Sequence, residues 1–441
     1  MFILEWFVNL GATVMIPILL IIFSILLGTK PSRAIKAGVT IGIGFIGLNL
    51  VIGLLSNSLG QAAQGMIKNF GLQLDVIDVG WPATSAIAYS TALGSMAIPL
   101  GIAVNIVLLI FGLTKTLDID LWNFWHGAFI GSIIYASTNS FILGILAIIS
   151  YYLFLFWIAD YMKPTISKFY GFPNITFPHG TSAPGYIIAK PLNYIFDRIP
   201  KLKDWDVSPE QIQKKFGLFG DSTVMGLIIG IIMGLFAGYD ISATLNLGMQ
   251  TGAVMMLMPR MVSLLMEGLE PVSEAASEFV KKRFPERDIY LGMDAALSVG
   301  HPAVLSSSLI LVPITILLAV ILPGNRVLPF GDLATIPFIV CLMAAVFGGN
   351  IIRTVIGGTI YMGLGLYIAT WISPLFTKMA QNANFDFNDS VNISSLADGS
   401  LWTTAIFVFF AKHIAYIGVI GFGLVMLGLL FYQSKIKKGE R

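Results

Sequence analysis

The segment Gly292–Pro323, GMDAALSVGHPAVLSSSLILVPITILLAVILP, decides the fold of this chain. Its second part, from Ala303 onward, is an apolar run without a charged residue. At about 1.5 Å per residue, that run is long enough to cross a hydrocarbon core of about 30 Å. Its first part places Asp294 and His301 beside glycine and proline breaks. This combination is typical of a polytopic membrane protein with a polar site at membrane depth.

The composition extends this interpretation to the whole chain. Of its 441 residues, 56% are hydrophobic and 11% are charged, so a soluble fold would expose too much apolar surface. Further apolar runs of comparable length are Leu10–Gly28, Ala37–Leu55, Ala92–Leu113 and Thr223–Gly238. At about 20 residues per span, the length allows roughly 10 to 12 crossings plus one longer hydrophilic segment. We therefore predict an all-α polytopic membrane protein.

The composition also excludes several classes of function. The net charge of +2, with scattered basic residues, argues against a nucleic-acid surface. The sequence has no phosphate-binding glycine loop, zinc-ligand pair or Gly-x-Ser-x-Gly elbow, so ATP-driven pumping and intramembrane hydrolysis have no support. The single cysteine, Cys341, lies inside an apolar run and has no second cysteine to pair with. We predict no metal site, no cofactor and no nucleic-acid partner.

The charge distribution predicts the orientation of the chain. Two basic clusters mark cytoplasmic segments. They consist of Lys30, Arg33, Lys36, Lys435, Lys437, Lys438 and Arg441. The first apolar run follows Glu5 and precedes no small-residue cleavage site, so we expect a retained helix with the N-terminus outside. The acidic stretch Ala380–Asp398 suits an outside loop. Termini on opposite sides require an odd number of crossings, and 11 fits the hydropathy better than 9.

The two halves of the chain resemble each other weakly. At an offset of about 210 residues, the matching pairs are Gly28 with Gly238, Gly38 with Gly248, Pro99 with Pro313 and Asp120 with Asp332. If each unit has five spans, the second must be inverted relative to the first. We predict two inverted five-helix repeats plus a C-terminal helix. Chance matches are the alternative, because glycine and leucine are abundant.

This repeat predicts the organisation of the chain. A first transmembrane repeat covers residues 1–162, and a second covers residues 217–400. Between them, residues 163–216 are rich in proline and lysine and predict a cytoplasmic linker with amphipathic helices. Residues 401–441 hold the last transmembrane helix and a basic cytoplasmic tail.

Two broken segments at related positions predict a transport site. In the second half, a hairpin or interrupted helix over Gly292–Pro302 would bring Asp294 and His301 near one another. The alternative is that Asp294 caps a helix. In the first half, the related segment is Asp75–Ser85, DVIDVGWPATS.

The first-half segment offers groups that suit a polyol. Trp81 would cover the carbon face of a polyol, while Asp78, Thr84 and Ser85 would exchange hydrogen bonds with its hydroxyls. A place in the interfacial aromatic belt is the alternative for Trp81.

Two histidines add candidates for this site. His179, in FPHGTS, has a turn-like context that predicts the rim of a cavity. His126, in WNFWH, belongs either to the cavity or to an interfacial anchor with Trp122 and Trp125. A histidine can take a proton from a sugar hydroxyl at neutral pH, which suits a site where that hydroxyl becomes a nucleophile. His413 is expected to be structural.

Six runs carry a resemblance to a known family. They are DVGWPATS (78–85), LWNFWH (121–126), FPHGTSA (177–183), QKKFGLFGDS (213–222), GMDAALSVGHPAV (292–304) and PGNRVLPFGDLATI (323–336). In this order and spacing, the sequence resembles the galactitol-specific IIC membrane subunits of the bacterial phosphoenolpyruvate-dependent sugar phosphotransferase system. The resemblance covers nearly the whole chain. Relatives that carry ascorbate share the fold.

The resemblance implies an architecture and a function. The fold would have about 11 spans in two inverted five-span repeats and form a homodimer in the bacterial cytoplasmic (inner) membrane. A dimerising scaffold domain and a moving core domain would interleave both repeats and work by an elevator movement. The substrate would be a sugar alcohol, galactitol first, with arabitol or another pentitol or hexitol as the alternative.

The resemblance also implies the energy source. A separate cytoplasmic IIB subunit, working with IIA, would carry a phosphocysteine and phosphorylate the polyol as it is released. The chain would then be the translocation subunit of the complex and not an enzyme by itself.

The resemblance carries roles over to residues of this sequence. It implies that the cavity is formed by Asp78, Trp81, His126, His179, Asp294 and His301. Asp294 or His301 would orient or deprotonate the reacting hydroxyl. Asp221 is expected at the substrate as well, although the galactitol pattern has the longer glutamate at that position, so the fit to galactitol would differ.

Two other functions stay open on the sequence. In a cation-coupled secondary transporter, Asp78 and Asp294 would carry protons or sodium ions. In a non-transporting polyol sensor, the linker would signal to a partner, although no signalling domain is recognisable.

Overall fold

Helices make up most of the structure. The computed structural model describes residues 12–26, 28–70, 76–203, 222–283, 289–329, 331–383 and 392–439. The first half contains helices α1 (Ala12–Leu26), α2 (Pro31–Phe70), α3 (Gly80–Ser90), α4 (Gly94–Ile110), α5 (Trp125–Thr138), α6 (Phe141–Tyr170), α7 (Ala183–Phe196) and α8 (Pro200–Lys203). The second half contains α9 (Ser222–Phe236), α10 (Ile241–Arg283), α11 (Ala296–Val299), α12 (Pro302–Ile321), α13 (Ile336–Val346), α14 (Ile351–Asn382), α15 (Trp402–His413) and α16 (Ala415–Gly439).

Several of these helices suit a bilayer. Among the described residues, four helical segments are long and apolar enough to cross a membrane: Phe141–Tyr170, Pro302–Ile321, Ile351–Asn382 and Ala415–Lys435. Large aliphatic side chains also point outward, as in Leu26, Leu50, Ile241 and Ile417, which are 70–81% exposed. Apolar side chains on the outside and a packed interior fit a polytopic membrane protein. The total of 11 spans stays a prediction.

The chain begins and ends its long helices with local signals. At the start of α6, the Ser140 hydroxyl accepts a hydrogen bond from the main-chain N–H of Leu143 at 3.3 Å, and Gly171 ends the helix with a φ of +74°. At the start of α14, the side-chain oxygen of Asn350 accepts from the N–H of Arg353 at 3.0 Å. Such caps satisfy main-chain groups that the helix leaves unpaired, so the connections next to them are sharply defined.

Two small parallel sheets join the halves of the chain. Their strands are β1 (Val76–Asp78), β2 (Thr116–Asp118), β3 (Ile175–Thr176), β4 (Tyr290–Gly292), β5 (Val327–Leu328) and β6 (Asn392–Ser394). In one sheet, with the order β5-β1-β6, a strand of the first half lies between two strands of the second. In the other, with the order β2-β4-β3, the arrangement is reversed.

The registers of these sheets hold chain segments that are far apart in sequence. Val76 lies opposite Val327 on one side and Asn392 on the other. In the second sheet, Leu291 lies between Leu117 and Ile175. The order strand, helices, strand, helices, strand is the same in both halves. Two inverted repeats stay a prediction that this exchange of strands supports.

The helices divide into two packing groups. The long helices α2 and α10 pack along each other, and α1 and α9 pack against them. An exposed ion pair between Arg33 and Glu274, at 2.7 Å, joins α2 to α10. The six strands and the helices α3–α7 and α11–α15 form the second group, which we call the strand-bearing unit. Helix α16 packs on α6 and α15.

The strand-bearing unit has an aromatic core. Fully buried side chains include Phe124, Phe129, Tyr151, Tyr152, Phe154, Phe376 and Phe407. The Tyr152 hydroxyl lies within hydrogen-bonding distance of the main-chain oxygens of Phe124, at 2.9 Å, and Ala97, at 3.0 Å. Cys341 is buried here as a free thiol, as the sequence predicts.

The predicted domain boundaries do not coincide with the boundaries of the helices and packing groups. The boundary at residue 162 falls inside α6, which continues to Tyr170 across Pro164. Much of the predicted linker 163–216 is buried structure: β3, the following loop and the first turn of α7 lie inside the strand-bearing unit. The predicted domain division therefore stays a proposal.

Candidate functional site

A cavity of about 60 Å³ lies within the strand-bearing unit. That volume has room for several ordered waters or for the polar end of a ligand. Its walls are formed by Trp81, Trp125, His179, Thr181, Asp294, Thr335 and Phe338. The first four belong to the first half of the chain and the last three to the second. The site therefore lies where the two halves meet.

Each wall residue is positioned at or near the beginning of a helix. Trp81 lies in the first turn of α3, Trp125 begins α5, and Phe338 lies in the first turn of α13. His179 and Thr181 lie in the loop between β3 and α7, and Asp294 lies between β4 and α11. The two sheets hold the strands before these loops together, so the polar side chains converge although they are far apart in sequence.

The central polar groups of the cavity are His179 and Asp294. Nε2 of His179 lies 3.7 Å from Oδ1 of Asp294. This distance is longer than a hydrogen bond, so both groups keep capacity for a ligand. A second contact holds each side chain in place. Nδ1 of His179 lies 3.1 Å from the Ser182 hydroxyl, and Oδ1 of Asp294 accepts a hydrogen bond from the N–H of Ala296 at 2.7 Å. Asp294 thus closes a local turn just before α11, whose N-cap is Ala295, and lines the cavity at the same time.

His126 lies next to this pair and is completely buried. Its ring is edge-on to that of His179, with centroids 4.6 Å apart. Nδ1 of His126 lies 2.8 and 3.1 Å from the carboxylate oxygens of Asp398, and the Thr181 hydroxyl donates to the same carboxylate at 3.2 Å. The interior position argues against an interfacial anchor: His126 lies behind the cavity wall, against the ring of His179, and does not itself line the cavity.

Asp78 and Thr84, both predicted to contact the substrate, instead form hydrogen bonds with main-chain groups near the cavity. Asp78 is buried and accepts hydrogen bonds from the N–H of Gly80 at 3.1 Å and of Asp332 at 2.8 Å. The hydroxyl of Thr84 donates to the main-chain oxygen of Gly80 at 2.8 Å, within its own helix. These groups fix the turn that presents Trp81 to the cavity. Neither lines the cavity itself.

His301 is placed at the start of α12, away from the His179–Asp294 pair. Its Nδ1 accepts from the N–H of Ala303 at 3.2 Å, which makes it the N-cap of the helix. Its ring packs against Phe169 and Tyr170, with centroid distances of 4.4 and 5.5 Å. The predicted hairpin therefore takes another form: a single turn, α11, separates Asp294 from His301 and directs the two side chains into different surroundings.

Asp221 and His413 are the remaining positions that were named from the sequence. Asp221 lies outside the described residues. His413, at the end of α15, is exposed and packs against Phe409 with a centroid distance of 4.6 Å.

Several residues at this site were not predicted there from the sequence. Trp125, Thr335 and Phe338 line the cavity, and Thr181 links it to Asp398. Asp398 was assigned to an outside loop, yet it is 1% exposed. The available signal was its position in ADGS, a turn that follows β6 as HGTS follows β3.

Comparison with known proteins gives the family of this chain. The family described as "PTS system sugar-specific permease component" matches residues 6–390. The chain belongs to this family. The resemblance carried by the six sequence runs is thereby confirmed.

Named relatives of this phosphotransferase permease family agree. The chain is 42% identical over 381 residues to the "PTS system galactitol-specific EIIC component" of Escherichia coli (strain K12), covering 86% of this chain and 84% of the relative. The protein of the same name in Escherichia coli O157:H7 is equally similar. A "Putative permease IIC component" of strain K12 is 37% identical over 439 residues, covering 98% of this chain and 99% of the relative. The protein is a membrane permease component of the phosphotransferase system.

Proposed function

We propose that this chain carries a sugar alcohol, galactitol first, across the bacterial cytoplasmic membrane for phosphorylation by a cytoplasmic IIB partner. The single observation that carries this proposal is the His179–Asp294 pair in a cavity between tryptophans, in a chain of the sugar-specific permease family. The 42% identity to a galactitol-specific component supports the choice of polyol.

The chemistry of the cavity suits a linear polyol. The indole rings of Trp81 and Trp125 offer apolar surface for the carbon chain, while His179, Thr181 and Asp294 offer polar atoms for the hydroxyls. A linear polyol would place its carbon chain against the indole rings and its hydroxyls against the polar side chains. In this proposal Asp78, Thr84 and His301 have supporting or separate roles, and the substrate contact of Asp221 stays a prediction.

Asp294 is the residue that we assign to the reacting hydroxyl. Its carboxylate would accept the proton of that hydroxyl and orient its oxygen for attack on phosphorus. The phosphoryl group would come from the phosphocysteine of IIB, and the product would leave as a phosphate ester. Cys341 is fully buried, so it is not placed to take part in phosphoryl transfer.

The packing of the helices supports an elevator movement. All the described cavity residues belong to the strand-bearing unit, whereas α1, α2, α9 and α10 pack mainly on one another and meet that unit through contacts of α9 with α12 and of α10 with α11. Movement of the strand-bearing unit against the other group would carry the complete site across the membrane. In this proposal, the α1, α2, α9 and α10 group is the scaffold that forms the homodimer.

Phosphorylation-coupled uptake tests the proposed function. Vesicles that contain the purified protein would be given radiolabelled galactitol or D-arabitol, with phospho-IIB enclosed or omitted. We expect a labelled sugar phosphate inside only when phospho-IIB is present. Accumulation of unmodified polyol that collapses with an ionophore and needs no IIB would instead establish cation-coupled transport. Binding without accumulation would indicate a sensor.

A further inference from the structure

His126 and Asp398 form a deeply buried polar contact beside the cavity. His126 is 0% exposed and Asp398 is 1% exposed. The two residues lie 272 positions apart, and Nδ1 of His126 faces both carboxylate oxygens. The Thr404 hydroxyl donates to the main-chain oxygen of Asp398 at 2.6 Å, which anchors the aspartate at the start of α15. Asp398 thus has a fixed position in the core.

This contact decides which nitrogen of His126 carries a proton. When the Asp398 carboxylate is ionised it only accepts hydrogen bonds, and Nδ1 of His126 is then the donor. In the neutral ring, Nε2 then has a free lone pair and is an acceptor. A backing carboxylate of this kind sets the tautomer and the orientation of an imidazole.

The other nitrogen of His126 is buried without a protein partner. Within the described residues, Nε2 has no hydrogen-bond partner and is inaccessible to solvent. A buried polar atom that stays unpaired costs on the order of 1–3 kcal/mol. Nε2 of His126 is therefore an acceptor without a protein partner, and because His126 does not itself line the cavity, a ligand hydroxyl can reach it only when the neighbouring side chains move aside.

The surroundings of His126 connect this acceptor with the cavity. The ring lies edge-on to His179, and its neighbour Trp125 forms part of the cavity wall. Thr181 lines the cavity and also donates to Asp398. Among the described residues, the titratable groups near His126 include Asp398, Tyr151, His179 and Asp294, of which the last two line the cavity.

We propose that Asp398 is a positioning residue of the substrate site: it holds His126 with Nδ1 protonated, so that Nε2 accepts a hydrogen bond from one hydroxyl of the bound polyol. This inference rests on the proposed function, because it assumes a polyol in the cavity. It adds a requirement for specificity. A ligand that lacks a hydroxyl at this position would leave Nε2 unpaired and bind about tenfold or more weakly, by the cost above.

The tautomer of His126 can be read directly by nitrogen-15 NMR of the purified protein labelled at its four histidines. His126→Gln assigns the resonance. We expect a protonated Nδ1 and an unprotonated Nε2 in the absence of polyol, with the Nε2 resonance moving when galactitol is added. In Asp398→Asn, whose amide can donate as well as accept, we expect this tautomer preference to be lost. An Nε2-protonated ring in the ligand-free protein would overturn the inference, whatever the protein transports.

Binding measurements test the acceptor role. We expect Asp398→Asn to weaken galactitol binding about tenfold or more, while Asp240→Asn, which changes an exposed acid at the start of α10, binds like the wild type. Among the monodeoxy derivatives of galactitol, one should bind about tenfold or more weakly than galactitol to the wild type, and this difference should vanish in His126→Phe. If the substitutions at Asp398 and His126 weaken the binding of galactitol and of every monodeoxy derivative by the same factor, the role of the pair is purely structural and the inference is overturned. No binding of any polyol by the wild type would overturn the proposed function and, with it, the ligand assigned to Nε2.

Discussion

Asp294 and His301 lie in one short segment and yet have different surroundings. Asp294 lines the cavity and faces His179 at 3.7 Å, whereas His301 caps α12 and packs on Phe169. The resemblance assigned the reacting hydroxyl to either residue. The geometry favours Asp294, because only its carboxylate borders the space in which a polyol would lie.

Substitutions at these two residues separate capping from catalysis. Asn keeps an acceptor for the N–H of Ala303, so His301→Asn should transport polyol at the rate of the wild type. His301→Ala should lower the free energy of unfolding by on the order of 1 kcal/mol, with unchanged uptake per folded molecule. Asp294→Asn should melt like the wild type and lose at least tenfold in uptake. Melting curves measure the capping role, and uptake rates measure the role in proton transfer. If His301→Asn melts like the wild type but does not transport, the catalytic role belongs to His301.

The sequence predicted the chemistry of the site better than its contacts. His126, His179, Asp294 and Trp81 are polar or aromatic breaks in apolar runs, and these breaks are visible in one dimension. The partners of His126 and Trp81 are not visible in this way, because Asp398 and Asp332 are separated from them by more than half of the length of the chain. No local pattern encodes such contacts, and a loop rich in Asp and Ser reads as solvent-exposed although the fold buries it.

At the scale of elements, one buried carboxylate joins three segments. Oδ1 of Asp332 accepts from the N–H of Trp81 at 2.7 Å and from the hydroxyl of Thr335 at 3.0 Å. Oδ2 accepts from the hydroxyl of Ser395 at 2.6 Å and from the N–H of Ala397 at 3.0 Å. Asp332 therefore ties the start of α3 to the turn before α13 and to the loop after β6. The short strands alone would give this junction few hydrogen bonds.

Removal of this carboxylate should destabilise the fold strongly. Asp332→Ala removes an acceptor shared by four donors, although the N–H of Ala397 keeps the Ser395 hydroxyl at 3.1 Å, and even one unsatisfied buried donor costs about 1–3 kcal/mol. We expect a loss of at least about 2 kcal/mol in the free energy of unfolding, seen as a fall of several degrees in the melting temperature in detergent. Asp240→Ala, which removes an exposed cap, is the matched control and should change the melting temperature much less. Equal small effects of the two substitutions would show that the junction is not held by Asp332.

At the scale of the whole molecule, the exchange of strands explains why two weakly similar halves form one site. Each sheet takes its central strand from one half and its outer strands from the other. If the halves are inverted, the sheet with β1 lies toward the outside and the sheet with β4 toward the cytoplasm. The sequence predicted the repeat from a few matching residues, but the pairing of strands between halves depends on long-range packing that those residues do not specify.

Cysteine labelling tests this inversion. In a Cys341→Ala background, Pro323→Cys lies before β5 and Asn174→Cys lies before β3, and both positions are exposed. A membrane-impermeant maleimide should react with position 323 and not with position 174 in right-side-out vesicles, and with both after the vesicles are opened. The unsubstituted protein is the control, because the buried Cys341 should stay unlabelled. Labelling of both positions from the same side would contradict inverted repeats.

In the proposed mechanism, the polyol bound in the cavity around Asp294 is phosphorylated by the IIB partner. The most direct measurement uses vesicles that enclose phospho-IIB and are given radiolabelled galactitol from outside. The chemical form of the label recovered from inside is determined for the wild type, Asp294→Asn and His413→Gln. We predict galactitol phosphate inside for the wild type and for His413→Gln, and at least tenfold less for Asp294→Asn. Unmodified galactitol as the only accumulated form in the wild type, or equal phosphate in all three, would contradict the account.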